Sequence, residues 1–352
     1  MNSDFKSRLK KIEAVLQKNL PGSPYTALWK HNAFGKIDKA VCSQHIEALT
    51  EPCRILIESG GKRWRPLFMI LCAEAASERK KNKTELIKQA YSLCPLVEFV
   101  HTASLIHDDI EDNADMRRGK PAAHISWGID TALNAASWLY FQASACLTGI
   151  APALKIKLYD ALTAELRRLH LGQAMDISWH KNNAALPTVR EYLAMTSLKT
   201  GTLASLSARC GILAGGGSPE KAGQAALYAA DIGVAFQIQD DIINLTRGNV
   251  GKKRGDDIVE GKKSLPVLYH LQEHPEDLKK LMSYFECAAR EGIDSPAVEK
   301  AVNLLLGGNA VQRALKQSTD LIEASCTRIQ KLYPGTTAVR LITELFSGLQ
   351  KC

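Results

Sequence analysis

Apolar residues recur every three or four positions along most of this chain. The spacing is clearest in four segments that are also rich in Ala, Leu, Ile, Gln and Lys, namely 155–177, 188–214, 219–246 and 296–333. This period places apolar side chains on one face of an α-helix, and the alternating pattern typical of β-strands is scarce. The hydrophobic pattern therefore predicts an all-α fold.

Glycine and proline fall between the predicted helices, where they end one element and begin the next. The main breaks are Gly60-Gly61, Gly119-Lys120-Pro121, Gly215-Gly216-Gly217 and the stretch from Gly248 to Gly255. No segment has the composition of a long interdomain linker, and no short-period repeat is present. We therefore predict a single domain over residues 1–352, built as a bundle of roughly ten or more helices.

The composition is that of a protein with a sizeable core, since 45% of the 352 residues are hydrophobic. No apolar run reaches the roughly 18–20 residues that span a bilayer. The start, from Met1 to Lys6, lacks the apolar core of a signal peptide. Nine cysteines are dispersed without CxxC spacing, which favours reduced thiols over a disulfide scaffold or a zinc site. We expect a soluble, cytoplasmic protein without an integral membrane segment.

The formal net charge of +8 permits nucleic acid, an anionic membrane surface or a small polyanion as partner. Aromatic residues make up only 6% of the chain, and no basic run interleaves with them. That pattern argues against nucleic-acid binding. The basic residues instead alternate with acidic clusters, which favours a small polyanionic ligand.

The first acidic cluster runs from His107 to Asp112 and closes an apolar helical stretch. Asp108 and Asp112 are four residues apart and so share one face of a helix. Two like charges there are unfavourable without a cation, and carboxylates that act together with phosphates suit Mg²⁺. A solvated helix end is the alternative, and the DDxxD string alone does not decide between the two.

The second acidic cluster runs from Gln237 to Asn244 and also follows an apolar stretch. Asp240 and Asn244 again share a helix face. The presence of two such clusters, each at the end of an apolar helix, argues against a chance occurrence. If the helices face one another, they form a carboxylate-walled mouth above a central apolar tunnel. The mouth suits an anionic head group bridged by Mg²⁺, and the tunnel suits a hydrocarbon tail.

Basic residues flank both acidic clusters. They occur in the segments 60–66, 117–121, 199–201 and 252–262. Arg and Lys side chains are common partners of diphosphates. Any one segment alone is compatible with a surface patch, but all of them beside two acidic clusters describe a diphosphate site.

These motifs, taken in order, resemble the trans-isoprenyl diphosphate synthases, the family that includes farnesyl and geranylgeranyl diphosphate synthases. The resemblance runs from about Lys62 to Leu268. It covers the GGKRxRP box, the DDxxD cluster followed by two arginines, Gly172-Gln173-Ala174-Met175-Asp176, Lys199-Thr200, Phe236–Asp241 and Gly255–Lys262. It implies head-to-tail condensation of isopentenyl diphosphate with an allylic diphosphate, giving a trans-polyprenyl diphosphate and free diphosphate.

The resemblance also implies a role for each matching residue. Ligands of about three Mg²⁺ ions would come from Asp108, Asp112 and Asp240, supported by Asp109 and Asp241. The allylic diphosphate would be held by Arg117, Lys199, Lys262 and Lys253 or its neighbour Lys252. Isopentenyl diphosphate would be held by Lys62, Arg65, His101 and Arg118. Thr200 and Gln237 would place dipoles beside the allylic cation, and Gln173 and Asp176 would line the cavity. Relatives are generally homodimers, so a homodimer is expected.

Three features of the sequence leave alternatives open. The second cluster reads DDIIN, so Asn244 would bring an oxygen to a metal without a charge. Pro95 would either kink the helix that leads to Asp108 or set its start. A lone helical histidine such as His101 is often only a packed or surface residue. Ser137 and Trp138 stand where relatives often have Gly-Asp, and the sequence suggests no function for them.

Product length depends on the residues that precede Asp108 on the same helix. Ala103 lies five residues upstream, about 7.5 Å along a helix, and Ser104 lies four residues upstream. Both are small, whereas relatives that stop at fifteen carbons usually carry an aromatic ring there. We therefore expect a product longer than farnesyl diphosphate, with geranylgeranyl diphosphate as the first candidate. Phe99 and Val100 are the next candidates to close the tunnel.

Two other functions share some of these motifs. A class I terpene cyclase has an all-α fold and aspartate-rich clusters, but it has no need of an isopentenyl diphosphate site. A non-catalytic subunit of a heteromeric synthase would be expected to lose metal or cation ligands, and the first cluster is intact. Both alternatives therefore rank below chain elongation.

Overall fold

The computed structural model describes residues 3–180, 186–248 and 253–349, and these are almost entirely helical. The helices are α1 (Ser3–Asn19), α2 (Ala27–Phe34), α3 (Ser43–Glu58), α4 (Trp64–Ser77), α5 (Lys83–Ser92), α6 (Cys94–Glu111), α7 (Ala123–Trp127), α8 (Ile129–Gln142), α9 (Pro152–His180), α10 (Val189–Thr196), α11 (Thr202–Ala214), α12 (Pro219–Thr246), α13 (Asp256–Val259), α14 (Leu265–Glu273), α15 (Leu278–Glu291), α16 (Pro296–Leu306), α17 (Ala310–Leu332) and α18 (Thr337–Leu349). The predicted all-α class is confirmed.

A few shorter elements join these helices. Ala143–Leu147 and Pro275–Asp277 form 3₁₀ turns, and Ser197–Gly201 forms a π turn between α10 and α11. Two short antiparallel strands, β1 (Met116–Arg117) and β2 (Lys120–Pro121), make a hairpin after α6. Among the described helices none is long and apolar enough to cross a membrane.

The chain packs as two compact units. Unit 1 takes Met1–Thr163, Leu206–Gln224 and Tyr333–Ile342, and unit 2 takes Ala164–Ser205, Ala225–Leu332 and Thr343–Cys352. Each unit draws on separate stretches of the chain, so neither is a consecutive segment. A single domain over residues 1–352 stays a prediction.

Helix α6 lies at the centre of unit 1, where it packs against α1, α3, α4 and α8. Pro95 occupies its first turn, where a missing N–H costs no hydrogen bond. The proline therefore sets the start of the helix. From there α6 runs without interruption to the first acidic cluster.

A series of aromatic rings joins the N-terminal part of unit 1 to α8. The ring of Trp138 stacks on that of Phe34, with centroids 5.8 Å apart. Phe34 meets the edge of Trp29, which stacks on Tyr25. The structure thus gives Trp138 a packing role that the sequence did not reveal.

Two apolar clusters lie in the described part of unit 2. One is formed by α13, α15 and α16 around Phe285, which is fully buried. The other gathers residues of α10, α12, α14 and α17, including Tyr192, Ile238 and Leu265. The second cluster packs beneath the second acidic cluster and fixes the helices that carry it.

Glycines allow helices to touch backbone to backbone. In unit 1, Gly211 of α11 packs on α4, and a Cβ added there would lie 2.2 Å from the carbonyl oxygen of Met69. Gly215 meets the carbonyl oxygen of Ala73 one turn further on. Any larger side chain at these positions would force α4 and α11 apart.

An alanine at Gly211 should therefore destabilise the protein. Overpacking of a close helix contact costs about 1–3 kcal/mol, which chemical denaturation would measure as a lower free energy of unfolding. Gly223 offers a matched control, since it also lies in a helix but has no atom within 4 Å of an added Cβ. Gly223→Ala should stabilise the helix by about 0.5–1 kcal/mol. Equal effects of the two substitutions would contradict the close packing.

Candidate active site

The first acidic cluster ends α6 in unit 1. Asp112 follows the last helical residue, and its N–H donates to the carbonyl oxygen of Asp108 at 2.8 Å. The helical turn is therefore complete, and the two carboxylates stand one turn apart. Asp109 points the other way and is only 1% exposed.

Arg117, on β1, neutralises the inner carboxylate of this cluster. Its Nε donates to Asp109 Oδ1 at 2.7 Å, and its terminal nitrogen also contacts that oxygen. The same nitrogen lies 3.6 Å from Asp108 Oδ2. Arg117 thus makes its shortest contacts with Asp109, while its charge still reaches Asp108. The resemblance implies that Arg117 also contacts the allylic diphosphate.

The three cations of the GGKRWRP segment take different positions. Arg63 turns into unit 1 with a left-handed backbone, φ 47°, and pairs with Glu98 at 2.7 Å and Glu13 at 2.8 Å. Both Arg63 and Glu98 side chains are 2% exposed. This buried pair ties the loop to α1 and α6. Lys62 is exposed, and Arg65 lies at the start of α4.

His101 and two arginines form a cluster beside that loop. Arg65 donates to His101 Nε2 at 3.2 Å, and the Arg118 guanidinium, which donates to the Leu56 carbonyl oxygen, lies against Gly61. Burial and then the nearby cations, Arg65 first, hold the pKa of His101 well below its usual range. His101 is therefore neutral and accepts the hydrogen bond from Arg65. The cluster therefore places two guanidinium groups around a neutral imidazole.

The residues before Asp108 are packed tightly in α6. Phe99, Val100 and Ala103 are fully buried. Ser104 is half-buried, and its hydroxyl donates to the His101 carbonyl oxygen at 2.8 Å. A larger side chain at Ala103 would have to displace neighbours inside unit 1.

Unit 2 holds a small cavity beside the second acidic cluster. Its walls are Asp176, Tyr192, Met195, Lys199, Thr200, Gln237, Asp241, Asp257, Lys262, Lys263 and Ser264. Six predicted site residues meet there, on α9, the π turn, α12 and the segment after α13. Asp240 is half-buried on α12, and Gln173 lies on α9 one turn before Asp176.

The π turn carries Lys199 and Thr200. Gly172 of α9 packs directly on it, since an added Cβ would lie 2.4 Å from the Lys199 nitrogen. On the other side Gly233 of α12 would bring a Cβ within 2.6 Å of the Gly201 Cα. Helices with an inserted π turn often mark functional sites. Here two glycine contacts hold the turn in place.

Lys199 and Asp176 form an ion pair across this contact. Lys199 Nζ lies 2.6 Å from Asp176 Oδ2. Burial acts to raise the pKa of Asp176, but the charges of Lys199 and Lys262 outweigh it and lower that pKa. Asp176 therefore stays ionised and orients Lys199.

A chain of hydrogen bonds runs through the second cluster. Thr200 Oγ donates to Gln237 Oε1 at 3.0 Å, and Gln237 Nε2 donates to Asp241 Oδ1 at 3.1 Å. The other Asp241 oxygen accepts from Tyr192 at 2.6 Å and from the Leu265 N–H at 3.2 Å. Asp241 is thus bound on both oxygens within unit 2.

Asn244 has a structural role in the fold. Its side-chain oxygen accepts from the Asp257 N–H at 3.2 Å, and its carbonyl oxygen accepts from the Gly255 N–H at 3.0 Å. The amide thereby seats the first turn of α13. These hydrogen bonds account for Asn244 as a structural residue. The sequence had left open whether its side-chain oxygen binds a metal.

The two lysines predicted near α13 lie in different surroundings. Lys262 lines the cavity, with Nζ 2.5 Å from Glu260. Lys253 Nζ lies 2.8 Å from Asp294 on an exposed surface and is not among the cavity walls. Its alternative, Lys252, lies outside the described residues.

Five of the cavity residues were not singled out from the sequence, and three of them have titratable side chains. Tyr192 stands seven residues before Lys199, two turns along a helix, but the spacing alone gave no reason to select it. Asp257 was part of the matched segment 255–262 without a stated role. The third residue is Lys263, whose pKa is lowered by burial to about 8, and only the packing reveals that burial.

The donor chemistry suits a hard cation, but the protein offers no closed cage. Across residues 3–180, 186–248 and 253–349, no three His, Cys, Asp or Glu side chains converge as a metal site. Mg²⁺ commonly binds through one or two carboxylates and completes its shell with water and phosphate oxygens. Asp108 and Asp112 supply such a pair, so these residues fit Mg²⁺ that arrives with a phosphorylated substrate.

Comparison with known proteins agrees with this chemistry. Residues 46–305 match the polyprenyl synthetase family. The geranylgeranyl diphosphate synthase of Methanosarcina mazei is 36% identical over 236 residues, 66% of this chain and 70% of that protein. The geranylfarnesyl diphosphate synthase of Natronomonas pharaonis is 30% identical over 322 residues, 86% of this chain and 89% of its own.

A solved structure shares the fold across nearly the whole chain. It is the geranylgeranyl pyrophosphate synthase from Corynebacterium glutamicum, complexed with isoprenyl diphosphate and magnesium. The TM-score is 0.81 at 22% identity, covering 97% of this chain and 98% of that one. The protein therefore belongs to the polyprenyl synthetase family and is a prenyltransferase that elongates trans-isoprenyl diphosphates.

Proposed function

We propose that this enzyme condenses isopentenyl diphosphate with an allylic diphosphate to give geranylgeranyl diphosphate or a longer trans-polyprenyl diphosphate. The observation that carries the proposal is the anion-binding cluster around His101. A terpene cyclase takes one diphosphate substrate and has no use for this second group of cations. The intact first cluster likewise argues against a non-catalytic subunit.

Isopentenyl diphosphate would bind at the His101 cluster. Arg65 and Arg118 offer guanidinium groups that match phosphate oxygens, and Lys62 adds an exposed ammonium group. The Arg63–Glu98 pair supports this assignment because it holds the loop that carries Lys62 and leads into α4, where Arg65 lies. His101 would donate Nδ1–H or accept a proton as the diphosphate neutralises the surrounding cations.

The allylic diphosphate would be held by metal ions at Asp108, Asp112 and Asp240, and by the cations Arg117, Lys199 and Lys262. About three Mg²⁺ ions are expected, and they would neutralise charge on the departing diphosphate. The magnesium and isoprenyl diphosphate bound to the Corynebacterium enzyme support the choice of metal. Asp176 orients Lys199 for the same task.

Loss of diphosphate would leave an allylic cation. The Gln237 carbonyl oxygen and the Thr200 hydroxyl supply oxygen dipoles of the polarity that a cation needs, fixed before the reaction begins. The C=C bond of isopentenyl diphosphate then attacks the cation. A proton is lost to the released diphosphate, and the site must exclude water to protect the cation.

Two further features belong to this proposal. Eight cysteines of the described residues are free thiols, which fits a reducing compartment and supports a cytoplasmic location.

A homodimer would use the apolar face of α7 and α8, which we define as Ile125, Ile129, Leu133 and Phe141. These side chains are largely exposed, Phe141 by 78%, and three of them are spaced by multiples of four along α8. Exposed apolar patches of this kind mark protein interfaces.

Condensation should require both the metal and the first acidic cluster. Chelation with EDTA should abolish product from labelled isopentenyl diphosphate and C5, C10 or C15 primers, and added Mg²⁺ should restore it. Asp112→Asn should lower kcat at least about a hundredfold, which is roughly 3 kcal/mol, because one metal-binding carboxylate is lost. Asp115→Asn makes the same charge change at an exposed residue of the same loop and should stay near wild type. Full activity of Asp112→Asn would refute the metal assignment.

A bulky residue at Ala103 should shorten the product. Ala103→Phe would place a ring about 7.5 Å from Asp108 along α6, where it blocks a tunnel that passes this point. Chromatography of the dephosphorylated products should show a shift towards fifteen carbons. Circular dichroism would first confirm that the variant is folded, and Ser104→Phe provides a second variant at a less buried position. An unchanged product from both folded variants would show that the tunnel does not pass Ala103.

Charge on the apolar face should dissociate the dimer. Ile129→Glu combined with Leu133→Glu would place two carboxylates in the proposed interface, and light scattering after gel filtration should report a monomer mass. Leu227→Glu is the control, since Leu227 is as exposed but lies on α12. A wild-type protein that is already monomeric, or a double variant that remains dimeric, would contradict this interface.

A further inference from the structure

The Asp241 carboxylate acts as the acceptor in each hydrogen bond that surrounds it. Three donors, from Tyr192, Gln237 and the Leu265 backbone, are directed at its two oxygens. An ionised carboxylate has only acceptors, so it meets all three donors without conflict. Because Asp241 is 6% exposed, water has little room to substitute for any of them.

This arrangement decides which end of the Gln237 amide faces Asp241. The carboxylate can only accept, so the amino group of Gln237 must turn towards it. The carbonyl oxygen is then at the opposite end, where it accepts from the Thr200 hydroxyl. The orientation of one amide is therefore set by a residue four positions further along α12.

Tyr192 secures the other side of the carboxylate. Its hydroxyl makes the shortest contact to Asp241, at 2.6 Å, and its ring is buried among Met195, Ile238 and Leu265. The ring position is thus fixed by packing, and it directs the hydroxyl at Asp241 Oδ2. Rotation of Asp241 would break this bond and the one from Leu265 together.

We propose that Asp241 and Tyr192 are positioning residues, which fix the Gln237 amide so that its carbonyl oxygen, and not its amino group, faces the Thr200 side of the cavity. The inference rests on the proposed role of Thr200 and Gln237 beside the allylic cation. A reversed amide would present two N–H donors there, with the positive end of the dipole towards a developing positive charge. The adjacent aspartates thus have different roles. Asp241 is hydrogen-bonded inside the protein, whereas Asp240 is the residue proposed to bind a metal ion.

Asp241→Asn tests this directly, because it changes the polarity of one contact and keeps the shape. Tyr192 and Leu265 still need an acceptor, so the oxygen of the introduced amide takes their side and its amino group faces Gln237. Gln237 must then turn its own oxygen to that amino group and its own amino group to Thr200. We expect kcat to fall about a hundredfold, the size seen when one preorganised dipole is lost from a transition state. The KM for isopentenyl diphosphate should change little, since that substrate binds elsewhere.

A second substitution should restore the lost polarity. In Asp241→Asn/Gln237→Glu the carboxylate moves to position 237, where it accepts from both the introduced amide at position 241 and Thr200. This variant should recover kcat at least about tenfold over Asp241→Asn, or roughly 1.4 kcal/mol. Gln237→Glu alone sets two carboxylates against each other and should be poor. Tyr192→Phe keeps the ring and removes one donor, so we expect a smaller loss of about tenfold.

Each outcome decides a separate question. Recovery in the double variant supports the inference, because a purely structural role would not be rescued by a second change in the same core. Thermal unfolding without substrate or metal should show all variants folded, and the Mg²⁺ concentration for half-maximal activity should match wild type. Wild-type kcat for Asp241→Asn, a double variant no better than the single one, or a raised Mg²⁺ requirement would overturn the inference. Failure of the wild type to condense the two substrates would instead overturn the proposed function.

Discussion

The constraint that governs this structure is the cost of holding like charges close together where water is scarce. Four arginines and a histidine crowd the start of α4 and the end of α6, and several carboxylates surround the cavity of unit 2. Removing charges from water is unfavourable unless each finds an opposite charge or enough hydrogen bonds. The pairs Arg63–Glu98, Arg117–Asp109 and Lys199–Asp176 meet that need. They leave the sites assembled before any ligand arrives.

The chain meets this constraint by dividing the work between neighbouring residues. Lys62-Arg63, Asp108-Asp109 and Asp240-Asp241 each contain two like charges side by side. In each pair the second residue is buried and bonded within its own unit, while the first is more exposed. In the two helical pairs, Asp108-Asp109 and Asp240-Asp241, adjacent residues point about 100° apart, so one faces the interior while the other stays more exposed. In each pair the buried residue supports the fold of its unit, and the more exposed residue is the one proposed to bind a ligand.

The sequence carried the fold class and the ordered motifs, because helical periodicity and charge spacing are local properties. It could not distinguish Arg63 from its neighbours, since only the positions of Glu13 and Glu98 show which cation is buried. It did not single out Tyr192, whose meaning depends on Asp241, 49 positions away. The structural role of Asn244 was hidden for the same reason, because its partner belongs to α13. The role of a polar residue depends on partners that are distant along the chain. A single sequence identifies candidate residues but does not show which of them interact.

The π turn at Ser197–Gly201 has a consequence for how such a chain can change over generations. A π turn closes on the fifth residue where an α turn closes on the fourth, so it holds one residue more. Deleting one residue here would let α10 and α11 merge into a regular helix and swing the following side chains by about 100°. Thr200 would leave Gln237, and Gly201 would no longer lie against Gly233. Substitutions near Lys199 alter single contacts, whereas a one-codon deletion would dismantle the whole arrangement. The geometry therefore constrains the length of this segment more tightly than the identity of most of its residues.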